Sequence, residues 1–551
     1  MAAESVPVLI VGGGVGGLSS SLFLAQHGIK SMIIERHSTT SIHPRARSVN
    51  ARTMEIYRRL GIVDEIRKAG ACISASAGMF HGPSLKEVID ARPRREGGQK
   101  FPFTWVMESV TPVNGTFVTQ DMLEPVLVNE ARRQGVDIRF YTEFVGFEQD
   151  EEVVTASVKK RDTEETFSIN AQYLIAADGA KSPVRQQLKI PVSGRGSFGK
   201  LLNILFKADL EDLVRDREFS LCLIERSEVV GLFTSVNNTD VWVFHLHYDP
   251  AKGEGPEDFP PEKCKDLIRL ALGIPGIEID IKSILPWEPS IRVANHLKQG
   301  RVFLVGDSAH QMPPYAGQGA NSAVASAHNL AWKLAAVLNG QAENALLETY
   351  EAERLPVGRE AAEISAIGCD EKGMLPVKKN WEFFKSMASK LFIVAGFGYG
   401  YNSAAITSES ILPLGGWTWR PWTLPSLMFS IDGRPGRRVP HVWIKRNGER
   451  ISTIDLCGKN FVLFAGSEAT GWLAAAKKLS STSSVNIDTY CIGPRGDLTA
   501  RSGVFETASG ISSTGALLVR PDDFVVWRAR RQNKDAESLL EQAIKKALCL
   551  A

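Results

Sequence analysis

Cysteine is scarce and scattered in this chain of 551 residues. The seven cysteines, at positions 72, 222, 264, 369, 457, 491 and 549, are odd in number, form no CxxC and have no nearby histidine at ligand spacing. That argues against a disulfide framework and a zinc site, and it fits a reducing, cytoplasmic setting. Long apolar runs are also missing. Residues 6–25 are rather apolar, but Glu4 precedes them, five glycines punctuate them and no basic stretch leads in. They read as neither a cleaved leader nor a membrane span. Nor is there an excess of one charge: 64 Lys and Arg against 62 Asp and Glu leave +2, which gives no reason to expect nucleic acid or an anionic membrane as partner. The basic clusters Arg92–Arg95 and Arg528–Arg531 read as solvated surface. What remains is an ordinary globular composition, 44% apolar and 23% charged, long enough for two to four domains.

The first organised stretch opens the chain. Val6–Val11 is an unbroken apolar run, the mark of a strand covered on both faces. It enters Gly12-Gly13-Gly14-Val15-Gly16-Gly17, then a small-residue helix over Leu18–His27 and a second apolar run, Ile29–Ile34, closed by Glu35 and Arg36. Strand, GxGxxG, helix, strand and acidic residue in that order form the dinucleotide-binding pattern. Gly12 permits the tight turn, Gly14 lets a pyrophosphate approach the backbone, and Gly17 lets helix pack on strand. Glu35 is placed to accept from ribose hydroxyls. Arg45, Arg47 and Arg52 flank a helix over Thr53–Leu60, positioned for a pyrophosphate or flavin edge, with surface ion pairs as the plainer alternative.

Further along, Gly78–Arg95 reads as an exposed two-stranded excursion, and Thr119 to Gln134 as an amphipathic helix that Gln120 opens. Val153–Lys159 and Thr166–Ile169 alternate as a hairpin. A buried strand, Tyr173–Ala177, runs into Asp178-Gly179-Ala180-Lys181-Ser182-Pro183-Val184-Arg185. From Leu201 to Pro289 longer alternating strands predict an antiparallel sheet. Within it Val241–Tyr248 puts His245 and His247 on one face and Trp242, Phe244, Leu246 and Tyr248 on the other. The histidine pair lacks a third ligand, so an ordinary polar sheet face is the better reading, and no metal is expected. The aromatic side suggests a cover for a planar apolar substrate.

The stretch Gly300–Leu338 supplies a second half-site. A short strand, Val302–Val305, leads to Gly306-Asp307, a loop with Pro313, Pro314, Gly317 and Gly319, and then a long helix from Gly319 or Ala320 onward. Such a loop lays backbone N–H groups and a helix N-terminus against a group that carries negative charge. Two half-sites so far apart suit FAD, with its long ribityl–flavin end, better than NAD on one contiguous fold.

Taken together these motifs resemble the class A flavoprotein aromatic hydroxylases, the p-hydroxybenzoate and phenol hydroxylase group. Gly12xGly14xxGly17 with Glu35 resembles their FAD fingerprint, Asp178 to Arg185 their DGxxSxxR motif, and Gly306-Asp307-Ser308-Ala309-His310 through Asn321 their GD motif and flavin loop. The resemblance implies that Asp307 binds the ribityl chain. It also implies that backbone from Pro314 through Gly317, Gly319, Ala320 and Asn321 faces the flavin, and that Arg45 and Gln120 contact FAD. Ser326 stands where family members usually carry Asp. Pro435–His441, Ser452–Leu456 and Ala516–Asp522 extend the likeness to the long, phenol-hydroxylase-like and polyketide-hydroxylase members with a C-terminal thioredoxin-like domain. Without CxxC that domain is expected to be structural or dimer-forming, giving a homodimer, rather than redox-active.

The implied architecture is an α/β Rossmann-like FAD domain (1–185 and 293–365) with an inserted antiparallel-sheet substrate domain (186–292, plus the excursion near 78–104). A helical linker (366–430) then leads to the thioredoxin-like domain (431–551). The implied reaction is monooxygenation of a phenolic or polyketide-derived aromatic with NADPH or NADH and O2, through a hydroperoxide at flavin C4a. No catalytic base is identified: Tyr315, His245, His247 and Tyr248 qualify only by type and region. Baeyer–Villiger or epoxidising oxygenation on the same scaffold is the alternative. Gly416-Trp417-Thr418-Trp419-Arg420-Pro421 is superficially similar to a halogenase motif, but its proline is one residue early.

Overall fold

Strand Glu4–Val11 lies inside an eight-stranded sheet whose parallel core runs Val302–Leu304, Thr166–Ala176, Glu4–Val11, Ser31–Glu35 and Asp137–Phe140. The computed structural model describes residues 4–73, 79–94, 107–367, 369–370, 396–409, 431–494 and 496–550. Val8, Leu9 and Ile10 are completely buried, as a strand covered on both faces requires. The covering helices are Val15–Gln26 and Gln318–Leu338, which pack against each other where Gly16 faces Ala323. The register levels the strand ends: Val11 pairs with both Ile34 and Ala176, and Leu304 with Ala176. Gly12, Glu35, Ala177 and Val305 therefore leave the sheet on one line, at the carboxyl ends of parallel strands where open α/β sheets bind ligands.

Thr166–Ala176 is one eleven-residue strand, antiparallel to Val154–Lys160 and parallel to Glu4–Val11. The hairpin arm and the buried strand read separately from the sequence are thus continuous. A small sheet of Val192–Ser197, Ser290–Ala294 and His310–Gln311 ties this layer to the central domain.

The central domain is a six-stranded sheet in the order Asp280–Trp287, Lys200–Lys207, Val241–Tyr248, Val230–Ser235, Leu221–Glu225, Met79–Gly82. The excursion over Gly78–Arg95 is corrected in its described part. Met79–Gly82 joins this sheet parallel to Leu221–Glu225, and Leu85–Asp90 is a helix. Ser84 caps it by accepting from Glu87 N, and Leu85, Val88 and Ile89 are buried at helical spacing. Arg92 lies over the Phe80 ring at 3.7 Å. The aromatic face is also corrected. Trp242, Phe244, Leu246 and Tyr248 are buried with Leu85, Val88, Ile268 and Leu272 of the domain's own helices. It is the opposite face, with Leu201, Leu223, Leu232 and His245, that turns toward the loop before Gln318–Leu338, where Tyr315 packs on the leucines.

The C-terminal domain orders its strands Ile487–Ile492, Phe461–Gly466, Ala516–Val519, Val525–Ala529, the first pair parallel and the others antiparallel. Helices Thr470–Thr482 and Ala536–Ala547 cover it, as in a thioredoxin-like fold. It docks on the N-terminal domain through buried ion pairs. Glu55 takes Arg438, Asp523 takes Arg52 and Arg59, and Glu353 takes both Lys333 and Arg520. Arg528 is no surface cation: it is buried and paired with Glu409. The segments 371–395 and 410–430, with the tryptophan-rich motif at 416–421, lie outside the described residues.

Candidate active site

Around the strand ends the backbone is drawn so tight that only glycine fits. Gly12 has φ +107°, and a Cβ there would stand 2.3 Å from the Ala177 carbonyl oxygen; at Gly17 it would stand 2.0 Å from that of Gly12. Gly14 is the N-cap of helix Val15–Gln26. Glu35 accepts from Gly13 N at 2.8 Å and from His37 N at 2.9 Å, which fixes its carboxylate beside the glycine turn. Arg36 follows at the surface, its carbonyl accepting from Arg161. Gln120 N donates to the Arg45 carbonyl at 2.7 Å, so these two distant residues meet.

The side chain of Gln120 instead donates to Glu124 at 2.6 Å, and Glu124 also accepts from Ser41 N at 2.7 Å. Glu124 is buried against Gly14, and desolvation pushes its carboxyl up. Sequence reasoning missed it. Its signal was the i, i+4 spacing from Gln120.

Asp178 accepts from Val184 N at 3.1 Å through one oxygen, while the other, Oδ1, is buried without a partner among the described residues. Burial raises its carboxyl above the usual range. Arg185, at the far end of the same motif, donates to the Ser308 carbonyl at 2.7 Å and to that of Ala180 at 2.9 Å. The two motifs are thereby one structure. Asp307 sits in the turn Gly306–Ser308, where Gly306 takes φ +73° and Ser308 Oγ donates to the Ala176 carbonyl at 2.7 Å. The Asp307 carboxylate opens to the cleft; surrounding protein pushes its pKa up and the Arg45 charge offsets part of that.

Beyond it, Pro314–Ala316 forms a single turn and Gly317, at φ +61°, starts the long helix. Asn321 locks this loop, accepting from Thr53 Oγ1 at 2.6 Å and Asn50 N at 3.0 Å and donating to the Gly317 carbonyl at 2.6 Å. Among the described residues nothing would meet a Cβ at Gly319 within 4 Å, so the backbone there is bare on that side. Two more groups have buried polar atoms without hydrogen-bond partners among the described residues. The Arg47 guanidinium is buried and pushed down to about 10, and the buried His43 ring to about 4, both by desolvation. A tight glycine turn, buried polar side-chain atoms without hydrogen-bond partners among the described residues, and a glycine loop along one set of strand ends fit FAD.

Other candidates fall elsewhere. Arg52 is turned away into the ion pairs with Glu55 and Asp523, and Tyr248 faces the far side of its sheet against Phe259. His245 does face the cleft, bonded to Asn203 and Thr234 on neighbouring strands. Neither partner had a signal in the sequence, since each is an isolated polar residue on its side of a largely apolar strand.

The chain matches the family model of the FAD binding domain over residues 5–365 and that of the aromatic-ring hydroxylase C-terminal domain over 432–549. It is 38% identical to a tetracenomycin A2 monooxygenase-dioxygenase of Streptomyces glaucescens, covering 100% of this chain and 98% of that one. It is 36% identical to an aklavinone 12-hydroxylase of Streptomyces purpurascens, covering 99% of each. Among solved structures, a ternary complex of aklavinone-11 hydroxylase with FAD and aklavinone superposes with a TM-score of 0.84 at 33% identity over the full length of both chains. The flavin-dependent monooxygenase PieE with FAD and substrate gives 0.83 at 30%, over 99% of each.

Proposed function

The chain belongs to the FAD-dependent aromatic-ring hydroxylases, and on that footing we propose that it hydroxylates a polycyclic phenol of polyketide origin. It is a monooxygenase that draws its electrons from NAD(P)H. The observation that carries the substrate class is the leucine-lined sheet face opposed to the Pro314–Ala316 turn, where Leu201, Leu223 and Leu232 with Trp287 and Tyr315 form an apolar surface across from the strand-end array.

In this reading residues 1–185 and 293–365 hold the cofactor and 186–292 the substrate. The glycine turn from Gly12 to Gly14, with Gly17 allowing close packing, lets the pyrophosphate approach the backbone. Glu35 takes the adenosine ribose and Arg36 flanks it. Arg45 and Gln120 close the pyrophosphate side, while Asp178 and Asp307 receive ribityl hydroxyls. The backbone from Pro314 through Gly317, Gly319 and Ala320 to Asn321 lies along the pyrimidine edge, where fixed N–H dipoles favour negative charge. Bound FAD, reduced by NAD(P)H, supplies the activation of O2 that places one oxygen on the ring and releases the other as water. The protein's own work is to seat the ring flat on the leucines, exclude water and orient the carbon to be oxidised.

The setting is the cytoplasm, in keeping with seven unpaired cysteines; no described helix is long and apolar enough to cross a membrane. A homodimer belongs to the same proposal, and mass measurement in solution tests it. For the function itself, purified protein should carry one FAD and oxidise NAD(P)H faster when tri- or tetracyclic phenols are added. With 18O2, one labelled atom should enter the product as a new phenolic hydroxyl. Protein without FAD, or with no response to any such phenol, would sink the reading; a lactone product would move it to Baeyer–Villiger chemistry.

A further inference from the structure

The sheet face turned toward Tyr315 carries a hydrogen-bonded polar group among its leucines. Asn203, His245 and Thr234 lie side by side on neighbouring strands: Asn203 pairs directly with His245, and Thr234 sits one step along from Leu232, which pairs with His245 on the other side. His245 Nδ1 is 2.5 Å from Asn203 Oδ1, and Nε2 is 3.0 Å from Thr234 Oγ1. Asn203 is buried, whereas His245 and Thr234 remain partly open to the cleft. Trp287 borders the ring at 5.9 Å.

Hydrogen-bond direction follows from the chemistry of the groups. With the Asn203 amide turned so that its carbonyl oxygen, which only accepts, faces the ring, the proton sits on His245 Nδ1. Burial, with His43 nearby, depresses the imidazole to about 3, so the ring is neutral and carries that one N–H alone. Nε2 is then a bare lone pair, and the Thr234 hydroxyl must donate to it. Its hydrogen is spent, and Thr234 Oγ1 presents only lone pairs to the cleft.

We propose that Thr234 is a specificity residue whose oxygen, held accept-only by His245 and Asn203, selects substrates that offer a free ring hydroxyl against this sheet. The inference rests on the polycyclic-phenol reading above. His245 and Asn203 are positioning residues, because they act through Thr234. A ligand with a methoxy group or hydrogen there leaves a buried acceptor unpaired, a loss of roughly tenfold to a hundredfold in binding.

The test uses the FAD-loaded enzyme and three probes, 2-hydroxyanthraquinone, 2-methoxyanthraquinone and anthraquinone, with dissociation constants read from the perturbation of the flavin absorbance. The wild type should bind the hydroxy compound at least tenfold more tightly than either of the others. Thr234→Val should erase that preference and Thr234→Ser should keep it. Asn203→Leu, which frees the other tautomer, should let Thr234 donate and so improve methoxy binding relative to wild type. Binding of all three without discrimination, or a preference unchanged in Thr234→Val, overturns the inference alone. Failure of all three to bind overturns the polycyclic reading and this inference with it.

Discussion

Replacing Asp523 by Asn tests whether the C-terminal domain helps to set the flavin loop. Asp523 lies in a tight turn with φ +75°, fully buried, and its carboxylate meets Arg52 Nη1 at 2.8 Å and the Arg59 guanidinium. Arg52 opens the helix Ala51–Arg58, whose N-cap Asn50 and Thr53 grip Asn321 in the loop. Asn keeps the size but removes the charge, leaving Arg59 uncompensated and Arg52 with Glu55 alone among its buried carboxylates. Removing one partner of a buried pair costs about 3–5 kcal/mol. At tenfold per ~1.4 kcal/mol, that shifts the docking equilibrium by roughly two to three and a half orders of magnitude. The expected result is earlier thermal unfolding, faster proteolysis near residue 431 and at least tenfold weaker FAD binding, read by flavin fluorescence. Asp523→Leu combined with Arg59→Met should recover much of the lost stability, because an apolar pair replaces the charges with no unpaired ion left behind. An Asp523→Asn enzyme with wild-type unfolding midpoint and wild-type FAD affinity would refute the reasoning.

The same interface should be acid-labile. Arg438 and Arg52 hold Glu55 below its usual 4.5, Arg520 and Lys333 do the same to Glu353, and Arg59 and Arg52 hold Asp523 below 3.8, against the desolvation that opposes them. Their stabilisation is present in full above these ordinary values and is lost as pH falls below them, so unfolding at pH 3 should separate the C-terminal domain first; a midpoint flat from pH 6 to 3 would contradict this. Gly17→Ala drives a Cβ to 2.0 Å from the Gly12 carbonyl oxygen and should yield protein that expresses poorly and retains no FAD after desalting. Asp307→Ala, by contrast, removes a cleft-facing carboxylate and should leave the unfolding midpoint of the apoprotein within about 1 °C while weakening FAD by at least tenfold.

What the sequence made legible was local. Gly12 to Glu35, Asp178 to Arg185 and Asp307 to Asn321 each announce themselves within a few residues, because a tight turn or a helix start leaves glycine, proline and capping residues at fixed spacing. The strand register then brings their ends level, as adjacent parallel strands must. Misreadings came where two periods look alike over a short span. Leu85–Asp90 is a capped helix inside a stretch taken for strands, and the cap at Ser84 was the available clue. Arg52 and Arg528 looked like surface or cofactor arginines, and their partners Asp523 and Glu409 lie 471 and 119 residues away. No local pattern encodes such a pairing.

The two faces of the central sheet make a sharper point about how substrate sites are read. The sequence displays its aromatics on one side, and large aromatics invite a planar ligand. Yet that richness is what a core needs: Phe206, Phe233, Trp242 and Phe244 are fully buried in the cluster shared with the domain's own helices. The opposite face carries leucines and a few polar atoms and is met by Tyr315 of the loop before Gln318–Leu338 rather than by the domain's own helices. The side with less hydrophobic bulk is therefore the better candidate for the substrate. Its hydrogen-bonded polar group also carries more information than the aromatic face, because a direction of hydrogen bonding, fixed from Asn203 through His245 to Thr234, can distinguish a hydroxyl from an ether where a ring surface cannot.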